Sequence, residues 1–381
     1  MKLIHLGDLH LGKSVYEFSM IEDQRYILQQ ILGMIRQENI DAVLMAGDVY
    51  DRSVPSEEAV KLLDSFLTEL ADMGKKVFVI SGNHDSEERL HYGSRLFREN
   101  GIYIAGRYDG EIPCVDLEDD FGPVHIWMMP YVKASRVAHF FPEADTSTYD
   151  SAFRAAISQC HLRKEERNVI LVHQFVTGRE REPELSGSES AVANVGTIDK
   201  ISADCFDDFD YVAMGHIHSA QAVERETCRY AGAPLKYSLN KKELGMPKTV
   251  PVITLCEKGK IEVKLNFLKP LREVRRLKGK LKDVLEHAED TEDYIYVTLT
   301  DEEIQYDAMA RIQEVYPYTM KLDYDNSSTR AIRDEESLLE TEEKSFEELV
   351  SGFYQLINGG EPDPEEWALI REVAREAGVM E

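Results

Sequence analysis

The stretch KKVFVISGNHDSEERL, residues 75–90, decides the fold, because a strand-like apolar run ends in consecutive polar side chains. Residues 75–80 have the composition of a buried strand. Asn83, His84 and Asp85 follow the run with no apolar residue among them. For any single strand, the commoner explanation is an ordinary polar turn. The interpretation as a functional site therefore depends on whether other strands end in the same way.

Four other strand-like runs end in polar side chains, and amphipathic helical patterns separate the early ones. The runs are residues 2–8, 41–48, 168–174 and 209–218, and the helical patterns are residues 21–38 and 55–73. The polar side chains at the ends of the five runs are Asp8, His10, Asp48, Asp51, Asn83, His84, Asp85, His173, His216 and His218. This alternation of strands and helices predicts an α/β fold, with a layered sheet, covering helices and right-handed crossovers.

The polar side chains at the strand ends are expected to meet, because open α/β sheets place ligands at the carboxyl ends of their strands. Carboxylates, an amide and imidazoles without a thiolate suit a pair of divalent transition metals such as manganese, iron or zinc. A central carboxylate can bridge two such metals. Glycines precede four of these residues, at positions 7, 47, 82 and 215, and predict backbone that turns sharply beneath a ligand.

The composition is typical of a globular protein and excludes several classes of protein. Of the 381 residues, 43% are hydrophobic and 30% are charged. No apolar run reaches the roughly 20 residues that a membrane helix needs, and Asp8 comes too early for a secretory leader, so a cytoplasmic location is expected. The five cysteines form no CxxC pair, so neither a disulfide framework nor a cysteine zinc site is expected.

The net charge of −27 is distributed unevenly along the chain. Residues 269–282 contain seven bases and one acid, whereas residues 333–381 contain 15 acids and four bases, a net charge of −11. The basic run has two explanations of equal weight. It either contacts DNA phosphates or forms a solvated or structural link, and the net charge of the whole chain does not distinguish them.

The C-terminal third is predicted to differ in architecture from the first part of the chain. Residues 271–325 alternate short helix-like and strand-like pieces, which predicts a small α+β unit. The polar residues 326–344 predict a linker. Two amphipathic helices are predicted at residues 345–358 and 361–378. Helices this short are marginal alone, so they are expected either to pack on each other or the α+β unit, or to dock on a partner.

The motifs of the chain resemble, in their order, those of the calcineurin-like metallophosphoesterase superfamily. D-x-H, GD, GNH, a single H and GHxH follow one another over residues 1–268. The segments IHLGDLHLGK, GDVYDRSVPS, SGNHDSEERL, FVTG and DYVAMGHIHSAQ are similar to nuclease subunits of the SbcD type, related to meiotic-recombination-eleven proteins. RYAGAPLKYSL is also similar, although Ala233 stands where a serine is expected.

The resemblance implies a role for each residue at the strand ends. One metal ion would be bound by Asp8, His10, Asp48 and His218, and the second by Asp48, Asn83, His173 and His216, with Asp48 bridging. The family implies manganese, whereas the residue types alone also allow iron or zinc. His84 would face the scissile phosphate without binding metal, and Asp85 would orient its loop. Asp51 and Arg52 would support the site, with a surface ion pair an equal alternative for Arg52.

The resemblance also implies a domain organisation and a function. Residues 1–268 would be the nuclease domain, residues 269–325 a capping domain that contacts DNA, residues 326–344 a linker and residues 345–381 a helix–loop–helix. The helix–loop–helix would bind the coiled-coil base of an SbcC-like ATPase. Its contact residues would be Phe346, Leu349, Val350, Phe353, Leu356, Trp367 and Ile370. The expected enzyme is a double-strand exonuclease and a single-strand and hairpin endonuclease for DNA repair, recombination and replication, associated with the nucleoid.

Two further expectations concern assembly and alternative functions. The family implies a homodimer within a heterotetramer, and residues 13–28 would expose Tyr16, Phe18 and Met20 for it, with ordinary core an equal alternative. A phosphoesterase acting on a small or protein phosphoester is the competing function, which the capping unit disfavours. The third possible function is that of a non-catalytic scaffold whose metal site has decayed. It is disfavoured because every expected metal ligand is present.

Overall fold

The computed structural model describes residues 1–179, 182–187, 200–327, 329–330, 350–351, 354 and 362–376. The chain divides into two compact units. Unit 1 comprises Met1–Leu277, Ala288–Val297 and Arg311–Lys321, and unit 2 comprises Lys278–His287, Thr298–Ala310 and the described part of Leu322–Glu381. Among the described residues, we find no helix with the length and apolar character needed to cross a membrane.

The described residues form nineteen strands and ten α-helices. The strands are β1 (Lys2–Leu6), β2 (Ser14–Val15), β3 (Phe18–Ser19), β4 (Ala42–Ala46), β5 (Lys76–Ile80), β6 (Ile102–Ala105), β7 (Cys114–Asp119), β8 (Gly122–Met129), β9 (Arg167–His173), β10 (Phe175–Thr177), β11 (Lys200–Ser202), β12 (Tyr211–Gly215), β13 (Gln221–Val223), β14 (Arg225–Tyr230), β15 (Thr249–Leu255), β16 (Ile261–Phe267), β17 (Val274–Gly279), β18 (Tyr294–Leu299) and β19 (Thr319–Tyr324). The helices are α1 (Ile21–Gln37), α2 (Glu57–Asp72), α3 (Glu87–His91), α4 (Ser94–Arg98), α5 (Ala134–Phe140), α6 (Tyr149–Ile157), α7 (Lys241–Gly245), α8 (Leu281–Glu286), α9 (Ala308–Val315) and α10 (Pro364–Glu376).

Two six-stranded sheets packed face to face form the centre of unit 1. Their strand orders are β16-β15-β1-β4-β5-β6 and β13-β14-β12-β9-β8-β7. The inner faces meet in one buried cluster that includes Leu44 and Phe78 from the first sheet and Leu171 and Ala213 from the second. Helices α1 and α2 cover the outer face of the first sheet, and α5 and α6 cover that of the second. This four-layer arrangement confirms the predicted α/β class.

The five predicted strands are all present, as β1, β4, β5, β9 and β12. Strands β1, β4, β5 and β6 run parallel to one another, and so do β8, β9, β12 and β14. The polar ends of the five predicted strands therefore lie at the carboxyl edges of two parallel sets. Strands β15 and β16 pair antiparallel and form a hairpin at the edge of the first set.

Helix α1 carries two polar side chains on its buried face. The apolar members of that face are Ile27, Leu28, Ile31, Leu32 and Ile35, which recur at helical spacing. Asp23 and Gln24, in the first turn, are also buried, with exposed fractions of 0% and 2%. Buried polar groups need hydrogen-bond partners, so the start of α1 is expected to be anchored to other parts of the chain.

The C-terminal part contains the predicted mixture of strands and helices. Strands β17, β18 and β19 form a three-stranded sheet in that order, and α8 and α9 lie between them in sequence. Helix α10 begins at Pro364, where Asp363 and Glu366 exchange backbone-to-side-chain hydrogen bonds of 2.9 Å each. The predicted helix at 345–358 and the linker at 326–344 lie largely outside the described residues. The predicted domain boundaries stay predictions.

An ion pair links the two sheets, and we expect its loss to destabilise the fold. Asp119, at the end of β7, accepts from the amino group of Met1 at 2.6 Å and from Arg167 Nη1 at 3.1 Å. Arg167 is only 3% exposed. Asp119→Ala leaves that guanidinium buried without its partner, so the free energy of unfolding should fall by about 3 kcal/mol at pH 7. Urea denaturation measures this, with the exposed Asp120→Ala as the matched control.

The same ion pair predicts a pH dependence. Burial opposes ionisation of Asp119, but the hydrogen bonds from Arg167 and the amino terminus hold its pKa well below the usual range. A lowered pKa stabilises the folded state above the pKa of the unfolded chain, about 4, and this contribution is lost as the pH falls. The difference in stability between the wild type and Asp119→Ala should therefore shrink below about pH 4. A constant difference down to acidic pH would contradict this ion-pair explanation.

Candidate metal centre

The predicted ligands lie at the strand ends of unit 1, and the structure brings them together. Donor atoms of Asp8, His10 and His218 lie within 4.8 Å of one another, and so do those of Asp8, Asp48 and His173. Asn83 contacts both His173 and His216. The seven side chains, spread over more than 200 positions of sequence, thus form one cluster, as their places at the strand ends predicted, and all but Asn83 and His216 are buried.

The backbone at the site takes conformations that ordinary residues avoid. Asp8, His10, Asp48 and His216 have positive φ angles of 52°, 45°, 47° and 99°. Non-glycine residues rarely adopt this left-handed region, and such strain is retained where the surrounding structure enforces it. Four of the predicted ligands share the feature, which indicates that the turns after β1, β4 and β12 are shaped to direct these side chains.

Two of the glycines are required by close approach rather than by a sharp turn. A Cβ atom on Gly82 would lie 2.1 Å from Asp48 Oδ1, and one on Gly215 would lie 1.9 Å from the carbonyl oxygen of Ala46. Neither residue has a positive φ angle. The sequence pattern thus pointed to glycine at both positions. The physical reason, however, is that a side chain there would overlap atoms of Asp48 or Ala46.

Two histidine nitrogens face each other in the first half of the site. His10 Nε2 and His218 Nε2 are 3.0 Å apart, and both rings are buried. Burial lowers the pKa of His10 to about 3 and places that of His218 well below its ordinary value. Both imidazoles are therefore neutral near pH 7. Neutral imidazoles beside the Asp8 carboxylate are good ligands for a transition metal.

An amide oxygen and two histidines form the second half of the site. Asn83 Oδ1 lies 3.1 Å from His173 Nε2 and 3.0 Å from His216 Nδ1. Burial lowers the pKa of His216 to about 3. For His173, burial is outweighed by the attraction of Asp48, which raises the pKa to about 9. His173 Nδ1 donates to the carbonyl oxygen of Ala46 at 2.8 Å, so its Nε2 is the nitrogen left to bind a cation.

Asp48 lies between the two halves. Its Oδ2 atom is 3.5 Å from His10 Nε2 and 3.3 Å from His173 Nε2, while its Oδ1 accepts from the backbone N–H of His84 at 2.9 Å. Burial disfavours the charged form, but His173 and the other histidines hold the pKa of Asp48 well below its usual range. A single ionised oxygen facing both sets of ligands is the arrangement that a bridging carboxylate requires.

The donor chemistry fits two divalent metal ions. Each half supplies carboxylate or amide oxygen and imidazole nitrogen, with Asp48 common to both, and no thiolate contributes within the described residues. These donors suit manganese, iron or zinc. The site thus places several unprotonated nitrogens beside ionised carboxylates, which is a donor combination that binds divalent cations.

Asp85 holds the loops that carry the ligands. Its Oδ2 atom accepts from the backbone N–H groups of Val49 at 3.1 Å and Gly82 at 2.9 Å, and its Oδ1 accepts from that of Tyr50 at 2.9 Å. Burial and the nearby Asp48 charge raise its pKa to about 6, although these backbone hydrogen bonds oppose the rise. Asp85 thus joins the loop after β4 to the loop after β5, which is the orienting role predicted for it.

The remaining predicted residues lie at different distances from the ligands. His84 Nδ1 contacts the carbonyl oxygen of Asp51 at 2.9 Å, and its ring lies edge-on to that of His10, with centroids 4.8 Å apart. Asp51 Oδ1 is 3.5 Å from His10 Nδ1, so Asp51 lies beside a predicted ligand, and its supporting role stays a prediction. Arg52 is 81% exposed and pairs with Asp51 at 3.7 Å. The structure thus favours the surface ion pair for Arg52.

Three residues that contact the site were not predicted from the sequence. Lys13 forms an ion pair of 2.6 Å with Asp51. Gln24 Nε2 donates to the carbonyl oxygen of His10 at 2.7 Å, and the Tyr237 ring packs edge-on to those of His10 and His218. One signal was visible for Gln24, which together with Asp23 is polar on a helical face whose other buried members are apolar. The sequence contains no comparable signal for Lys13 or Tyr237.

The side chains of Phe18 and Met20, which precede helix α1, are less exposed than a dimer surface requires. Met20 is 2% exposed, and Phe18 packs against Tyr294 and Tyr318 with ring centroids 6.0 and 6.2 Å apart. Met20 belongs to the core and Phe18 is half-buried against it, so for these two side chains the structure favours ordinary core over an exposed dimer surface. Tyr16 is 46% exposed, as expected.

The basic run at 269–282 is largely paired within the protein. Arg272 pairs with Glu22 and Asp23, Arg275 with Glu289 and Asp293, Lys278 with Asp325, and Lys282 with Glu286. Arg276 stacks on the Tyr296 ring. These contacts favour the structural explanation of the run, since DNA phosphates would have to compete with the acids already in place. DNA contact by this run stays a prediction.

Comparison with known proteins identifies two families along the chain. A family model described as calcineurin-like phosphoesterase matches residues 1–220, and the SbcD_C model, described as a type 5 capsule protein repressor C-terminal domain, matches residues 270–358. The first match covers more than half of the 381 residues. It includes all the strand-end residues described above, and the second includes β17, β18 and β19.

Two solved structures were also compared with the chain. A dimetal phosphatase from Danio rerio is 12% identical, covering 71% of this chain and 98% of its own, with a TM-score of 0.39. A psychrophilic β-glucosidase from Micrococcus antarcticus is 10% identical, covering 84% of this chain and 83% of its own, with a TM-score of 0.21. At such TM-scores neither likeness bears on the fold or the function.

Proposed function

The chain belongs to the calcineurin-like phosphoesterase family, and on this premise we propose that it is a manganese-dependent DNA nuclease that works with an SbcC-like ATPase. The family makes it a metal-dependent phosphoesterase, and the SbcD_C match adds the domain composition of an SbcD-type nuclease subunit. The observation that carries the proposal is the position of Asp48, whose Oδ2 lies within 3.5 Å of histidine nitrogens from both halves of the site.

The residues that would hold the two metals follow from the two halves of the site. Asp8, His10, Asp48 and His218 would hold one, and Asp48, Asn83, His173 and His216 the other. When bound, two divalent ions neutralise phosphate oxygens and lower the pKa of water at the site. Manganese is the expected ion. Desolvation of His10, His216 and His218 lowers their pKa values and keeps their imidazoles unprotonated.

His84 would handle the proton of the leaving group. A carbonyl oxygen only accepts hydrogen bonds, so the 2.9 Å contact between His84 Nδ1 and the Asp51 carbonyl places a proton on Nδ1. Nε2 would then exchange the proton: the imidazolium form would give it to the departing 3′-oxygen of a phosphodiester, and the neutral ring left behind would take one back from solvent. Asp51 also lies beside His10, so it would position a metal ligand and the acid together.

A comparison of substrates tests the nuclease proposal. The purified chain with Mn²⁺ should nick supercoiled plasmid and degrade linear duplex, and chelation should stop both reactions. It should act far more slowly on a chromogenic phosphomonoester or a phosphopeptide. Rapid hydrolysis of those small substrates with no DNA cleavage, in the presence or absence of the ATPase, would overturn the nuclease proposal in favour of a phosphatase.

Helix α10 supports the proposed ATPase contact, because it exposes apolar side chains. Leu369 and Val373 are 63% and 56% exposed, and Trp367 is half-buried beneath the Arg371 guanidinium. Of the other predicted anchors, Ile370 and Val350 lie in the described residues, whereas Phe346, Leu349, Phe353 and Leu356 do not. An apolar stripe on a short helix suits docking into a groove, and the acids around it would favour a basic partner surface.

Deleting residues 340–381 should separate catalysis from complex formation. We expect Mn²⁺-dependent nicking of short substrates to stay within about twofold of wild type, because the metal ligands lie elsewhere, and co-purification with the ATPase to be lost. The double variant with Leu369→Ser and Val373→Ser should also weaken co-purification with the ATPase. Val54→Ser, at a side chain 66% exposed in the phosphoesterase domain, is the matched control. A truncated chain that still co-elutes with the ATPase would contradict the docking role.

Dimerisation and location complete the proposal. The family implies a homodimer within a heterotetramer, in which two active sites could act on one DNA end or hairpin, in the cytoplasm with the nucleoid. Sedimentation of the chain without its partner at micromolar concentration tests the dimer, and a strict monomer would contradict an intrinsic one. Because Met20 is buried and Phe18 is half-buried, residues 13–28 are a poor candidate for the dimer surface.

A further inference from the structure

Gln24 is a buried amide that binds the loop carrying Asp8 and His10. Its Nε2 atom donates to the carbonyl oxygens of His10 at 2.7 Å and Leu9 at 3.3 Å, and its Oε1 accepts from the backbone N–H of Gly12 at 2.9 Å. The side chain thus contacts backbone groups of three residues of this loop. A glutamine with so many contacts in an apolar environment is fixed in one orientation.

Tyr237 also binds the loop that carries Asp8 and His10. Its hydroxyl donates to the carbonyl oxygen of Leu9 at 2.6 Å and accepts from Gln24 Nε2 at 3.0 Å. Its ring lies edge-on to those of His10 and His218, with centroids 5.9 and 6.2 Å away. Burial raises the pKa of Tyr237 far above its ordinary value, so the hydroxyl keeps its proton and remains a donor.

The loop needs this support because its backbone is strained. Asp8 and His10 have φ angles of 52° and 45°, a left-handed region that ordinary residues adopt only at a cost in free energy. On one side, the loop is held by backbone hydrogen bonds, from His10 N to the Asp48 carbonyl and from Leu11 N to the Val49 carbonyl, both 2.9 Å. Those bonds use the N–H groups of the loop. Gln24 and Tyr237 bind its carbonyl groups.

The neighbouring residue, Asp23, fixes the position of Gln24. Asp23 Oδ2 accepts from Arg272 Nη1 at 3.1 Å and from the Tyr294 hydroxyl at 2.7 Å. Asp23 and Arg272 are 0% and 8% exposed, and the Arg272 guanidinium also stacks 4.8 Å above the Tyr318 ring. The first turn of α1 is thus anchored on one side to these residues and on the other to the loop.

We propose that Gln24 is a positioning residue for the metal held by Asp8, His10 and His218, and that Tyr237 shares this role. Neither side chain is proposed to touch the metal or the substrate. Gln24 acts through the backbone of His10, and it has no contact with Asn83, His173 or His216. Its loss should therefore weaken the first metal site and spare the second. The inference rests on the proposed function only in taking these residues as metal ligands.

Manganese binding to the full chain tests the proposal. Wild type should bind two Mn²⁺ per chain, giving the electron paramagnetic resonance signal of a spin-coupled pair. In Gln24→Leu, the affinity of one site should fall by about 10- to 100-fold, so that one equivalent of Mn²⁺ gives an uncoupled signal and the pair forms only at excess metal. Gln29→Leu, the same change at an exposed position of α1, should keep the wild-type titration.

The outcomes separate positioning from a general structural role. Unchanged affinities in Gln24→Leu, or equal weakening of both sites, would overturn the proposal. If Gln24→Leu does not fold, Tyr237→Phe serves instead, because it removes only a hydroxyl group. Tyr237→Phe should weaken Mn²⁺ binding at the same site alone, by a smaller factor. Unchanged Mn²⁺ affinity in Tyr237→Phe would also overturn the proposal. The measurement uses metal binding without DNA. A chain that binds two Mn²⁺ but cleaves no DNA would refute the proposed function and leave this inference intact.

Discussion

Asp48→Asn should reduce DNA cleavage by roughly 10³-fold or more while the protein stays folded. The Oδ2 atom of Asp48 faces His10 on one side and His173 on the other, at 3.5 and 3.3 Å. Replacing this ionised oxygen with a neutral amide removes negative charge from both metal sites at once. The fold should tolerate the change, because asparagine has the same shape and its Oδ1 can still accept from the backbone N–H of His84.

The expected loss is measured as the rate of plasmid nicking at saturating Mn²⁺, together with the metal content and the melting temperature. Asp64→Asn, the same substitution at an exposed position of α2, is the control and should cleave at the wild-type rate. We expect the Asp48 variant to bind fewer than two metals per chain and to melt within a few degrees of wild type without metal. Near-normal cleavage by Asp48→Asn in excess Mn²⁺ would sink the assignment of a bridging carboxylate.

The convergence of the ligands was predictable because it follows from a rule about strands. Each of the five runs is apolar enough to be buried and ends in polar residues, and parallel strands present their carboxyl ends at a shared edge. Asp8 and His216 are 208 positions apart, yet the Asp8 carboxylate accepts from the His216 backbone N–H at 2.8 Å. Local patterns were sufficient for this prediction, since the topology of the sheet supplies the distant contact.

The supporting contacts were not predictable, because no local pattern encodes them. Gln24 and Tyr237 are 213 positions apart and meet through one hydrogen bond. The alternation of strands and helices also does not reveal that the strands divide between two stacked sheets. That division depends on which strands pair, and each predicted strand is buried on both faces in either arrangement.

Two alternatives that the sequence leaves open depend on contacts with distant residues. The region before the first helix could be exposed or part of the core, and aromatic residues from a distant part of unit 1 cover Phe18. The basic run could contact DNA or be paired within the protein, and acids 14 and 18 positions after Arg275 pair with it, at 2.8 Å for Glu289 and 3.7 Å for Asp293. In both cases the contacts that decide how exposed the side chain is come from residues that lie far away in the sequence.

His84→Ser should remove most of the turnover and leave both metal sites intact. The backbone N–H of His84 donates to Asp48 Oδ1 at 2.9 Å, and serine at this position keeps that donor. The lost group is the imidazole, whose Nδ1 is engaged with the Asp51 carbonyl and whose Nε2 would serve the leaving oxygen. A positioned acid or base contributes about 10²- to 10⁴-fold, so kcat should fall by at least about 10²-fold with KM little changed.

Metal content distinguishes this role of His84 from metal binding. Mass spectrometry of the intact chain should find two Mn²⁺ in both the wild type and His84→Ser, and His161→Ser, at an exposed position, should match the wild type in every measurement. A phosphodiester with a good leaving group, such as nitrophenolate, should restore part of the lost rate, because that group departs without a proton. Loss of metal together with activity would instead identify His84 as a ligand, and the same loss on both leaving groups would exclude a role in protonating the 3′-oxygen.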